Sequence, residues 1–240
     1  MQASEFNTGV IKPIECVKEG FERIKSDFWL LLAIWLVGGL IGGISLFIAA
    51  GAMTCGTFYC FLRKIDGESV KFDDLWKGMQ WFGPGLIVML IIIVPILALY
   101  LMIYLPFVLA AVAGSQLGPE AGLGLLIGAL AIDLVLLVAT VCVHTLLMFA
   151  FPLIVDRNMG AGQAIKTSAR AVMKNLSGVV GLIAVNFVLV LGGYLALCVG
   201  VYLAIPIIIA GNVVAYRRVF PRLDDDRRFE RPPVSAVGGG

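Results

Sequence analysis

The fold is decided by the stretch between Lys77 and Arg157, GMQWFGPGLIVMLIIIVPILALYLMIYLPFVLAAVAGSQLGPEAGLGLLIGALAIDLVLLVATVCVHTLLMFAFPLIVD (residues 78–156), which contains no Lys or Arg. About 20 apolar residues cross the roughly 30 Å of bilayer hydrocarbon, so the apolar block from Phe82 to Val155 is too long for one crossing. It is interrupted at Gly114-Ser115-Gln116-Leu117-Gly118-Pro119-Glu120, where two glycines, a proline and an acid make a turn that water can solvate. The block therefore reads as a hairpin with arms near residues 84–113 and 122–151. Both arms exceed one bilayer thickness, which predicts tilt, kinks at Pro95 and Pro106, or ends that project past the hydrocarbon.

Outward from this hairpin, the composition is that of a membrane protein. Of 240 residues, 60% are hydrophobic and 14% charged, with a mean hydropathy of +0.98, more apolar and less charged than an ordinary soluble domain. There is room for one membrane domain and no separate soluble catalytic domain. The net charge of +2 says little, but the placement of charge says much: all 18 Lys and Arg fall within residues 12–25, 63–77, 157–174 and 217–231. Basic residues beside membrane segments stay in the cytoplasm, so all four segments are expected there, separated by even numbers of crossings. The expected fold is all-α and polytopic, with six transmembrane helices as three hairpins, each preceded by a cytoplasmic amphipathic helix, and both termini cytoplasmic. Residues 1–10 read as a flexible N-terminus, 11–220 as the six-helix membrane domain, and 221–240 as a disordered cytoplasmic tail. No signal peptide is expected, because the first apolar block starts only at Phe28, after a charged stretch.

The first hairpin is the uncharged block at residues 28–62, whose reversal has to be tight and is placed near residues 43–50. Within it Gly38 with Gly42, and Gly39 with Gly43, form two overlapping small-xxx-small repeats that let helix backbones approach closely, within the chain or between copies. The third hairpin is the uncharged block at residues 176–216, with a break around residues 192–200.

Each basic segment carries an amphipathic pattern. Val17, Phe21, Ile24 and Phe28 recur at helical spacing while Lys18, Arg23 and Lys25 take other faces. In the second segment Asp73 or Asp74 caps a short helix with Leu75, Met79 and Phe82 on one face, and Trp76 and Trp81 suit the headgroup layer. The acids Asp66, Glu68, Asp73 and Asp74 read as solvated loop charges, since they lack the spacing of a calcium loop. In the third, Ile165, Ala169, Val172 and Leu176 share a face while Lys166, Arg170 and Lys174 follow at four-residue intervals. This row is the strongest candidate for anionic lipid headgroups, with Lys18, Arg23 and Lys25 as secondary candidates. Lys18 placed on Lys166 brings Val17 onto Ile165 and Ile24 onto Val172, so the pattern suggests an amphipathic helix and a membrane hairpin repeated three times.

Little points to chemistry. Cys16, Cys55, Cys60, Cys142 and Cys198 are expected to be free thiols, since Cys55 and Cys60 lack metal-site spacing. One His, no P-loop and no basic-aromatic nucleic-acid face leave no cofactor, metal or nucleic-acid expectation. Asp133, Thr140 and His144 lie on one helical face, with Asp133 and His144 about 16 Å apart along the axis. An intramembrane acid faces the bundle interior or a wet cavity, so this stripe is expected to point inward, toward Tyr100, Tyr104 or Asn186.

The order of elements, with Phe151-Pro152-Leu153-Ile154-Val155-Asp156-Arg157 followed by Ala164-Ile165-Lys166-Thr167-Ser168-Ala169-Arg170 and Leu176, resembles a bacterial family of six-helix integral membrane proteins of unknown function. That family is related to the membrane portion of membrane-bound glycerophosphodiester phosphodiesterases, and the resemblance covers most of residues 11–220. It implies an all-helical domain of the bacterial inner membrane and carries over no catalytic residue, because the phosphodiesterase machinery sits in a separate soluble domain. The reading that follows is a non-catalytic membrane scaffold or accessory protein that binds anionic lipid or a partner complex, as a homo-oligomer or within a larger membrane complex; the alternative is a small-solute or ion transporter or channel.

Overall fold

The computed structural model describes residues 6–113, 119–196 and 199–222. Most of the expected turn at residues 114–120, Cys198 and most of the expected tail lie outside the described residues. All regular structure in the described residues is helical: α1 (Pro13–Ile24), α2 (Phe28–Ile44), α3 (Ala50–Ile65), α4 (Phe82–Ala113), α5 (Pro119–Leu146), α6 (Ala150–Arg157), α7 (Ala161–Lys174), α8 (Leu176–Leu195) and α9 (Val199–Val219), with 3-10 helices at Lys25–Asp27 and Phe72–Trp81. They fall into two compact units, residues 1–88 with 146–240, and residues 89–145.

Among the described residues, five helical stretches are long and apolar enough to cross a membrane: Pro13–Ile44, Phe72–Tyr104, Ile127–Arg157, Leu176–Leu195 and Val199–Val219. The chain is thus an all-α, multi-pass membrane protein, but the expected sixth span is missing from this set. The arm that falls short is α3. Its 16 residues rise about 24 Å at 1.5 Å per residue, against roughly 30 Å of hydrocarbon, and it ends in Arg63-Lys64. Eleven of its residues are buried, because α3 is the centre of the first unit, packed against α2, α6, α9 and the Phe72–Trp81 helix. The reversal before it occupies Ser45 to Ala49, where Leu46 and Phe47 take left-handed φ values of 50° and 67°. Ser45 stabilises that turn by donating to the Gly42 carbonyl and accepting the Ala49 N–H.

Small residues make the helix contacts of this unit. A Cβ on Gly20 would come within 2.7 Å of the Ala210 carbonyl carbon, and one on Gly51 within 2.3 Å of Gly85 backbone, so α1 meets α9 and α3 meets α4 at glycine. The buried face of α1 is consequently Cys16, Gly20 and Ile24 rather than the expected Val17, Phe21, Ile24 and Phe28, and Phe21 is exposed. In α7 the buried side chains are Ala161, Ala164, Thr167, Ser168, Ala171 and Val172; of the expected face, Ile165 and Ala169 are half-buried and Leu176 is exposed. In the Phe72–Trp81 helix Leu75, Gly78 and Trp81 are buried while Met79 is exposed, the three-residue repeat of a 3-10 helix replacing the expected α spacing. Asp74, not Asp73, satisfies its start by accepting the Lys71 N–H at 2.9 Å. Trp81 is buried and donates to Asn158 Oδ1 at 3.1 Å, so of the two tryptophans expected at the headgroup layer only Trp76 is exposed.

The second unit takes α4 from Met89 onward and α5 up to Thr145. Its apolar side chains, such as Val94, Leu101, Leu134 and Val135, are exposed, as lipid-facing helices require, and α4 continues helical through Pro95. Residues 6–9, read from the sequence as a loose terminus, make ordered contacts: Asn7 N–H donates to Val219 O, Gly9 N–H to Asn175 Oδ1, and Phe6 packs on Phe220.

Candidate functional site

The charged residues of the first unit form two populations. In the first, cations are consumed by carboxylates. Arg217 places Nε 2.9 Å from Asp66 Oδ1 and Nη2 2.7 Å from Asp66 Oδ2, and the same Nη2 lies 2.8 Å from Asp156 Oδ1. Asp156 also accepts the Tyr216 hydroxyl at 2.8 Å and pairs with Arg157, whose guanidinium reaches the Pro221 carbonyl. This network is nearly dry and ties the ends of α3, α6 and α9 together above a ring cluster of Phe149, Tyr216 and Phe220. Around it, Arg63 pairs with Glu68 and Asp74, Lys77 with Asp74, Arg222 with Glu68, and Arg218 with Glu15 and Glu19. The acids read as solvated loop charges are therefore mostly ion-paired: Asp66, Glu68 and Asp74 each hold an arginine, and only Asp73 is left in solvent. For Glu68, partial burial alone would raise the carboxyl pKa, but the Arg63 hydrogen bond and the Arg222 charge outweigh it and hold it below the ordinary glutamate value.

The second population is free of carboxylates. Among the described residues, Lys18, Lys71, Lys166, Arg170 and Lys174 make no ion pair, and three of these five stand on one exposed row of α7. The row faces outward because the opposite side of α7 is anchored. Ser168 donates to Leu146 O at 2.6 Å and accepts the Phe149 N–H at 3.1 Å, and Asn175 Nδ2 donates to Asn7 O and Ala171 O. Exposed Met173 and Leu176 flank the row, placing cations beside apolar side chains as an interfacial helix does. Of the secondary candidates, Lys18 shares this freedom, whereas Arg23 pairs with Glu19 at 2.6 Å and donates to Ile65 O, and Lys25 pairs with Glu22.

The glycines of α2 divide by face. Gly38 and Gly42 pack inside the chain, against Thr57 and Leu75 and against Ala50; Gly39 and Gly43 have open space where a Cβ would stand. On α5, Thr140 is buried, His144 Nδ1 lies 3.3 Å from Thr140 O, and Asp133 Oδ1 is buried without a hydrogen-bond partner among the described residues. Tyr100 and Tyr104 are exposed and stacked on each other, and the partner of Asn186 is Asn212, at 3.0 Å, a pairing across α8 and α9 that no local pattern signals.

Among the described residues Cys16, Cys55, Cys60 and Cys142 are free, and no group of three His, Cys, Asp or Glu side chains is arranged to hold a metal ion. Comparison with family models, curated proteins and solved structures gives no match. Fold and site together define a class, a membrane-embedded helical protein with a paired charge lattice and an unpaired cationic helix, without tying it to a named family.

Proposed function

We propose that this chain is a non-catalytic scaffold or accessory protein of a bacterial cytoplasmic membrane, whose α7 holds anionic lipid headgroups. The observation that supports this reading is that, among the described residues, Lys166, Arg170 and Lys174 are spared from ion pairs while ten other Lys and Arg of the same unit have carboxylate partners. Each such charge near an anionic surface contributes about 1 kcal/mol. In this arrangement both termini are cytoplasmic, α3 returns the chain to the basic side although it is shorter than a full span, and the open Gly39 and Gly43 face is where a second copy or a larger complex would pack.

The test replaces Lys166, Arg170 and Lys174 together by Gln and measures, by mass spectrometry, the lipid that stays with the purified protein. Retained phosphatidylglycerol falls several-fold while phosphatidylcholine is unchanged; equal retention in wild type and triple variant removes the headgroup site. The second reading, a small-solute or ion transporter, draws on the buried Asp133 Oδ1, which has no hydrogen-bond partner among the described residues. A solute-dependent rise in melting temperature that Asp133→Asn abolishes would favour it.

A further inference from the structure

We infer that the cleft between the α1–α2 junction and the α8–α9 hairpin binds one acyl chain of an anionic phospholipid, whose phosphate is held by Lys18 and Lys25. The inference deepens the lipid-binding reading but uses residues other than the α7 row. The cleft measures about 510 Å³, within the roughly 300–1,000 Å³ of ligand clefts. Phe21, Phe28 and Trp29 form one wall, and Leu189, Leu203 and Ile207 the other. Its far end is drawn shut where α8 meets α9: a Cβ on Gly193 would lie 2.7 Å from Val201 N, so the backbones touch there.

The occupant follows from what lines the cleft and from what does not. Lys25 is the only charged side chain on its wall. An open apolar cleft in a membrane-embedded unit is filled by the solvent of that unit, which is acyl chain. Charge then selects the headgroup. Phe21, Lys25 and Phe28 all line the cleft; Lys18 stands on α1 three residues before Phe21, and Lys25 opens the 3-10 segment four residues after it, so the two lysines flank the Phe21 ring. Both ammonium groups can bend toward a phosphate between them while their stems lie on the phenylalanine rings. Lys18 makes no ion pair among the described residues, and Lys25 holds Glu22 only in an exposed pair of the kind that exchanges readily. The other acids of α1 are engaged elsewhere: Glu15 by Lys12 and Arg218, Glu19 by Arg23 and Arg218.

Trp29, 72% exposed at the cleft, supplies the readout, because bromine on an acyl chain quenches a tryptophan it touches. The full chain in detergent micelles is titrated with phosphatidylglycerol carrying dibrominated chains, and separately with phosphatidylcholine of the same chains; the signal taken is the quenching that Trp29→Phe removes. That quenching saturates, with phosphatidylglycerol half-saturating at about tenfold lower concentration. Lys18→Gln with Lys25→Gln raises the phosphatidylglycerol value to that of phosphatidylcholine and leaves the latter unmoved. Ala196→Phe, which fills the cleft from an exposed position, abolishes saturable quenching of both, with elution volume and helical circular dichroism as the check on folding. Equal half-saturation for the two lipids in wild type, a preference that survives loss of both lysines, or saturable quenching that survives in folded Ala196→Phe overturns the inference. Because the α7 triple variant leaves Trp29 quenching unchanged, a failed α7 site and a failed cleft are told apart.

Discussion

Arg217 Nη2 lies 2.8 Å from Asp156 Oδ1, joining the end of α9 to the end of α6. The guanidinium simultaneously holds Asp66 in a two-pronged contact, a geometry that lysine cannot reproduce. Arg217→Met removes one cation from a buried carboxylate, Asp156, and a half-buried one, Asp66. Breaking a buried pair from one side costs about 3–5 kcal/mol, and Arg157 and Tyr216 remain on Asp156, so the expected loss is near 3 kcal/mol, read as a lower midpoint in thermal unfolding of the purified protein. Arg217→Lys should fall between, and a Met variant as stable as wild type would show the network to be dispensable.

Gly20 and Gly39 should respond in opposite directions to the same change. Alanine is favoured over glycine in a helix by about 1 kcal/mol. At Gly39 a Cβ meets nothing, so Gly39→Ala is expected to be neutral or slightly stabilising. At Gly20 it would press on Ala210 and Gly211 backbone at 2.7 Å, which cannot swing aside, and overpacking of this kind costs about 1–3 kcal/mol. Paired melting curves decide it: a Gly20→Ala variant that melts above wild type would mean that α1 and α9 slide freely.

These glycines also show where sequence reading succeeds and fails. The all-α membrane class follows from where Lys and Arg are absent, a signal carried by every residue of the block at 78–156. The apolar pattern misleads at Phe21 of α1 and Ile165 of α7, the larger apolar residues, because in a soluble helix size and burial go together. Next to lipid, large side chains can stay outside while Gly20, Ala164, Ser168 and Ala171 let the helices meet. Nor could a local pattern reveal that Asp66 pairs with Arg217 or Asn186 with Asn212, since both contacts join elements distant in the chain. The α7 row was legible for the reason that makes it a candidate site: its cations need no partner to be recognised.

Glu68 predicts a pH dependence. Its carboxylate takes Arg63 Nε at 2.9 Å and Arg222 Nη2 at 2.7 Å, and its pKa is held below the ordinary value of 4.5. A depressed carboxyl contributes stability that is fully present above its unfolded pKa and is lost as pH falls through its folded one. Wild type should therefore lose stability on acidification below about pH 4.5, and Glu68→Gln should start lower at neutral pH and fall less steeply in that window. The two curves converge at low pH; parallel curves would mean that the arginines gain nothing from Glu68.

The orientation of the cationic row rests on Ser168. Its hydroxyl is fully buried, donates to Leu146 O and accepts the Phe149 N–H, bridging the break between α5 and α6 from a position on α7. Ser168→Ala fits the space but strands both groups, and a buried group left without its hydrogen bond costs about 1–3 kcal/mol, so a loss of about 2 kcal/mol is expected. Ser168→Thr keeps the hydroxyl and should recover part of it. The consequence extends to the surface: with the anchor gone α7 is freer to roll, and hydrogen exchange of its amides should quicken while those at the centre of α3 keep their protection. Uniform acceleration across both helices would mean that Ser168 supports the whole unit, and no acceleration in α7 would mean that Ala164, Ala171 and Asn175 hold its face without it.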